Sequence, residues 1–209
     1  MIDPNYVWHT FYGSTSADGG NGIAVDGSGN VYLTGYSNAT WQGDGSINPL
    51  HAHSGSYDIV ALKLTSAGAY QWHTFYGSSS NDYGDAMAVD GSGNVYLTGY
   101  SGTTWQGEGA SPNPLHAHSG DNDIVALKLT SAGAYQWHTF YGSTGPDRGN
   151  DIAVDGSGGN VYITGYSGAT WQGDGGNNPL HAHSGNDDIV VLKFRVVEVD
   201  RLFLPLVVR

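Results

Sequence analysis

Cysteine is absent from this 209-residue chain, which excludes a disulfide framework and any thiol chemistry. Charge is nearly as scarce. Asp, Glu, Lys and Arg make up 12% of the residues, with 19 acidic against 7 basic and a formal net charge of −12. Such a balance leaves no electrostatic footprint for nucleic acid or for an anionic membrane. No window of a dozen residues keeps a helical apolar period, and the apolar stretch 202–208 is far too short to span a bilayer. The opening MIDPNYVWHT has no charged segment followed by an apolar one, so no signal peptide is expected in this chain. It also enters in mid-repeat, as a fragment or a chain with an upstream part would. Catalytic signatures are missing too: there is no G-x-S-x-G elbow, no P-loop, no H-E-x-x-H, and no G-x-G-x-x-G between a strand and a helix.

Present instead are 33 glycines, 14 tyrosines and 6 tryptophans, the mark of an all-β chain of short strands joined by turns. One stretch, DIVALKLTSAGAYQWHTFYGS, occurs at residues 58–78 and again letter for letter at 123–143. Its first half is apolar on both faces, so both faces should be covered. A Gly-containing turn and an aromatic strand, residues 70–76, complete a hairpin that needs neighbours above and below. Around it the chain repeats with a period of about 65 residues, aligning Asp26, Asp90 and Asp155. Each unit adds a short strand from Ile23, Ala86 or Ile152, a Gly-Ser-Gly turn, a second strand such as 31–36, and a Gly-, Asn- and Pro-rich loop such as 37–57. Four short strands per unit predict three β-propeller blades, near 22–77, 86–142 and 151–194. Residues 6–13 are expected as an outer strand offset ahead of the first blade, and residues 195–209 as a capping or closing strand.

The runs NPLHAHSGSYDIVALKLTSAGAYQWHTFYGS and AVDGSGNVYLTGYS resemble the SBBP repeat, a bacterial β-propeller repeat family, over roughly residues 6–194. The Trp-Gln-Gly insert with its His-Ala-His departs from that pattern. The resemblance implies a propeller, usually in large secreted or surface proteins, and carries no catalytic residues with it.

Three sets of residues are candidates for chemistry. His51 and His53, His116 and His118, and His181 and His183 form H-x-H pairs that would share one face of an extended segment and suit zinc or copper. A third ligand is available nearby only from Asp44, Glu108 or Asp174, so the competing reading is a Pro-anchored loop whose histidines make hydrogen bonds. Trp41, Trp105 and Trp171, each in T-W-Q-G, would suit stacking on a sugar; the alternative is that each pins its own loop to the blade. Asp26, Ser28 and Asn30 resemble the start of a calcium loop. The extra glycine in the third copy fits a hairpin turn and not a ligand set.

The expected function is a non-catalytic propeller scaffold of a secreted or cell-surface bacterial protein, with a structural or protein-interaction role and no cofactor. The alternative is a carbohydrate-binding propeller using the Trp-bearing loops. Three blades fall short of the usual four to eight. The expected partner is therefore the chain itself, in a blade-sharing oligomer, or further repeats of a longer chain, with a glycan or another surface protein as possible ligands. An open arc would expose faces lined by Val31, Leu33, Val60 and Leu62. The most variable segments, 14–22, 79–85 and 144–150, are expected as loops whose exchange barely alters stability.

Overall fold

The computed structural model describes residues 5–109 and 112–195. Its strands form three antiparallel sheets. The first orders β1 (Asp18–Val25), β2 (Val31–Ser37), β3 (Asp58–Leu64) and β4 (Tyr70–Tyr76) side by side in chain order. The second repeats this with β5 (Asp82–Val89), β6 (Val95–Ser101), β7 (Asp123–Leu129) and β8 (Tyr135–Tyr141). The third has β9 (Asp147–Val154), β10 (Asn160–Ser167) and β11 (Asp188–Arg195). These are the all-β blades expected from the repeats.

Turn chemistry closes each hairpin. Asp26 Oδ1 accepts the backbone N–H groups of Ser28 and Asn30, both at 2.9 Å, and Oδ2 accepts the Asn30 amide and the Tyr32 hydroxyl. The calcium-like D-x-S-x-N is thus an aspartate-capped turn. Asp155 keeps this role despite the inserted glycine, bonding Ser157, Gly159 and Asn160.

The inner strands start earlier than the sequence predicts. Segments 14–22, 79–85 and 144–150 are not wholly loops, because β1, β5 and β9 begin at Asp18, Asp82 and Asp147. A register shift interrupts each, at Gly20/Gly22, Gly84/Ala86 and Thr164/Gly165 in the paired ladders. Glycine-rich strand halves read as loop because glycine packs no side chain. Glycines on the neighbouring strands β2, β6 and β10 admit a close backbone crossing: a Cβ on Gly35, Gly99 or Gly165 would stand 1.8 Å from the carbonyl oxygen of Gly19, Tyr83 or Arg148.

The sheets stack face to face. Tyr32, Ile59, Ala61, Trp72 and Tyr76 of the first pack on Met87, Val95, Leu97, Val125, Leu127 and Phe140 of the second. The opposite face of the second sheet, with Tyr96, Ile124 and Ala126, packs on Ile152, Val161 and Ile163. All seven residues of β7 are buried, as a strand covered on both faces requires.

At the two ends the outcome is unequal. Val60 and Leu62 of the first sheet are buried and Val31 and Leu33 half-buried, in a cluster with Trp41, Tyr70, Phe75 and Tyr12, so this face is not the open apolar surface expected of it. Only Ile23 and Val25 remain exposed there. On the third sheet Tyr162, Ile189 and Val191 are exposed, whereas Tyr96, Ile124 and Ala126 at the matching places are buried. Residues 6–13, expected as an outer strand, pair with no strand among the described residues. Their side chains nonetheless meet the first sheet as those of β4 meet the second. Trp8 Nε1 donates to Ser66 O at 3.2 Å, as Trp72 Nε1 does to Ser131 O. The expected closing strand at 195–209 lies, beyond Arg195, outside the described residues.

Candidate functional site

In the first two blades the long loop folds back over the blade's outer strand. Leu50 N–H donates to His73 O at 2.9 Å and Phe75 N–H to His51 O at 3.2 Å, so β4 is held by β3 on one edge and by this loop on the other. The second blade repeats this with Leu115 on His138 and Phe140 on His116. The proline before each of these residues keeps the loop extended as it runs beside the strand.

Trp41 lies within this fold-back, buried between two rings. His73 stacks on it at 3.8 Å with a 5° interplanar angle, and Tyr12 covers it from the preceding segment at 6.0 Å. Trp105 has His138 at 3.7 Å and Tyr76 of the first blade at 5.8 Å. Both faces that a sugar would need are therefore occupied by the protein. Trp171 has Tyr141 on one side at 6.0 Å and is half-buried, with no histidine stacked on it among the described residues. The stacked histidines are held neutral: burial pushes His73 down, and His138 down to about 4. Their Nε2 atoms meet the carbonyls of Trp41 and Trp105 at 3.1 and 3.2 Å.

The H-x-H pairs turn to different partners. His51 Nδ1 meets Phe75 O at 2.7 Å while its ring stacks on Tyr76; His53 Nε2 meets the carbonyls of Ser37 and Ser56. His116 contacts the Thr139 hydroxyl, and His118 and His183 meet Ser101 O and Ser167 O. His181 is exposed. The first histidine of a pair instead reaches the acid of the next blade. His116 Nε2 lies 2.8 Å from Asp174, and His51 Nε2 lies 4.0 Å from Glu108. His116, Tyr141, Trp171 and Asp174 line an open groove of about 370 Å³ between the second and third blades. At the first blade Asp44 accepts the Tyr12 hydroxyl at 3.0 Å. No three His, Asp or Glu side chains among the described residues converge as metal ligands would.

A second repeated constellation escaped sequence reading. Asp58 at the head of β3 and Asp82 at the head of β5 are both fully buried, and their carboxylates flank Gly77. Asp58 Oδ2 accepts Ser54 N–H at 2.7 Å; Asp82 accepts Ser78 N–H, the Ser78 hydroxyl and Ser101 Oγ. Asp123 and Asp147 flank Gly142 in the same way. Burial, with Asp82 adding repulsion, pushes Asp58 up to about 7; burial also raises Asp123, to about 6, and raises Asp82. The signal for this site is the Asp-Ile-Val strand start, which reads as an ordinary polar strand end until the next blade's aspartate is placed beside it.

The variable segments also carry structure. Arg148 grips Asp85 with two bonds, Nε to Oδ2 at 2.8 Å and Nη2 to Oδ1 at 2.6 Å, tying β9 to β5 beside the Tyr100 ring. Tyr83 packs on Tyr36, Tyr57 and Tyr100. Exchanging 79–85 for 144–150 would remove Tyr83 and Asp85 from these contacts, so the structure argues for a swap that costs stability instead of a neutral one.

Successive four-stranded antiparallel sheets, stacked face on face with inner strands adjacent, define a β-propeller repeat protein. The chain carries three copies of the SBBP beta-propeller repeat, matched at residues 7–40, 71–104 and 136–170. The second and third matches each span two sheets, taking the outer strand of one and the first two strands of the next, and the first match takes residues 7–13 with β1 and β2. No curated protein matches the chain.

Proposed function

We propose that this chain is a non-catalytic propeller scaffold of a secreted or cell-surface bacterial protein, with a structural and protein-binding role. The observation that carries this reading is the use made of its aromatic and histidine residues. Trp41 and Trp105 are closed in between His and Tyr rings, and the H-x-H histidines bond backbone carbonyls and neighbouring loops. Side chains that could bind a sugar or a metal are instead engaged within their own blade, and some of them reach the next. Differences between repeats gather at segments 14–22, 79–85 and 144–150, where an otherwise uniform ring would offer distinct surfaces to a partner. A glycan array with and without calcium tests this. The expected result is no glycan retained in either condition; a glycan bound by the wild type and lost in Trp171→Ala would replace the scaffold with a lectin.

A further inference from the structure

Among the described residues the third blade has no outer strand, and the chain contains a segment that repeats one. In the first two blades the outer strand lies in a slot between the third strand and the long loop, bonded on both edges. In the third blade the same slot, between β11 and the loop through Pro179, Leu180 and His181, is a cleft of about 840 Å³ that nothing among the described residues fills. Trp171, which lines this cleft, lacks among the described residues the histidine that stacks on Trp41 and Trp105.

Residues 6–13, YVWHTFYG, repeat residues 70–77 and 135–142, YQWHTFYG, in all but one position. They lack the third strand that β4 and β8 lie against. Phe75 and Phe140 are 0% and 1% exposed, and Phe11 is 88% exposed. The segment already makes an outer strand's side-chain contact. Tyr6 OH bonds His9 Nδ1, as Tyr70 bonds His73 and Tyr135 bonds His138. It is also docked on the first blade as an outer strand docks on the blade that follows it, with Tyr12 against Trp41 and Tyr70 at 6.0 and 5.9 Å where Tyr76 meets Trp105 and Tyr135 at 5.8 Å.

We infer that the slot beside β11 receives residues 6–12 of a second copy of this chain. The register follows from β3 and β4, where Val60 faces Phe75, Ala61 faces Thr74 and Leu62 faces His73. Val190 then faces Phe11 of the second copy, Val191 faces Thr10 and Leu192 faces His9, which places the His9 ring on Trp171. The exposed ends match as well. Ile23 and Val25 of the second copy meet Tyr162, Ile189 and Val191 in the way that Met87 and Val89 meet Tyr32, Ile59 and Ala61. The contact is head-to-tail and must close to avoid a filament. Two copies give six blades, inside the range of about four to eight that closed propellers adopt. The inference rests on the scaffold reading and names that scaffold's first partner.

The test uses the absence of native cysteine. Full-length Thr10→Cys and Val191→Cys chains are mixed under mild oxidation, and a Thr10→Cys/Val191→Cys double variant is oxidised alone. Ala61→Cys/Thr74→Cys, the same register inside the first blade, controls for folding and for cross-strand geometry. The expected result is a covalent species of two chains from both the mixture and the double variant, with light scattering giving twice the 22.0 kDa of one chain. Overturning results are a link within one chain, a ladder of longer oligomers, or no Thr10–Val191 link while the control closes. None of these would bring back a glycan, so the scaffold reading fails or stands separately.

Discussion

Replacing Asp58 by Asn should change how stability depends on pH. Asp58 is buried with Asp82 beside it across Gly77, and its carboxyl is pushed up to about 7 from the usual 3.8. Between those values the folded chain holds a proton that the unfolded chain has released. Stability from this group is therefore complete at low pH and is lost as the pH rises through the window. At 1.36 kcal/mol for each pH unit of that window, the loss amounts to about 4 kcal/mol. Asp123, raised to about 6, adds a drift of the same sign worth about 3 kcal/mol. His138 opposes both. With its value lowered to about 4, it stays neutral in the fold while the unfolded chain takes up a proton, so stability rises with pH up to the ordinary histidine range. His138 offsets only about half of the combined drift, so the wild type loses stability overall as the pH rises, and the informative quantity is the difference between Asp58→Asn and wild type. The substituted amide keeps an acceptor for Ser54 N–H and presents an N–H donor toward Asp82. Urea unfolding followed by tryptophan fluorescence from pH 4 to pH 8 should show the variant gaining about 4 kcal/mol relative to wild type across that range. A constant difference, or a variant that loses ground as the pH rises, would refute the buried carboxyl pair.

Other substitutions test the packing. Gly99→Ala places a methyl 1.8 Å from Tyr83 O and should cost about 3 kcal/mol in chemical denaturation; a neutral result would mean that the inner-strand crossing is not this tight. Trp105→Ala removes the ring between Tyr76 and His138 and should cost about 3–5 kcal/mol, with His138 returning toward an ordinary titration by NMR. Arg148→Ala leaves Asp85 without its two-bond partner and should lose about 2 kcal/mol, while exposed Asn150→Ala changes little by the same assay. Because the H-x-H imidazoles already bond the protein, a chelator should leave the Tm within about two degrees, and a fall of about ten would reveal a bound metal that supports the fold.

Periodicity made most of the blade legible. The doubly apolar DIVALKL strand, its hairpin and the Asp-capped turn are local patterns, and each lies where the sequence puts it. The missed parts depend on partners distant in sequence. The first halves of β1, β5 and β9 carry no apolar alternation, and the glycines that let their backbone pass so close, Gly35, Gly99 and Gly165, sit on the neighbouring strands β2, β6 and β10. The Trp41–His73 stack joins residues whose meeting depends on the loop folding back, which no spacing rule encodes. The Asp58–Asp82 pair forms only when two blades meet, so neither carboxylate differs in sequence from a solvated one.

The phase of the repeat against the sheets bears on how such a chain lengthens. The second and third SBBP matches begin with the outer strand of one sheet and end in the first half of the next, so the repeated unit and the hydrogen-bonded unit are offset. Deleting or duplicating one full period then joins like to like wherever the breakpoint falls, because every cut leaves halves that complete an existing sheet. No intermediate length carries a half-made sheet in its interior, and only the two termini bear mismatched halves. Recombination can therefore change blade number in whole steps without inventing a new boundary, and identical copies such as residues 58–78 and 123–143 are what such events would leave behind.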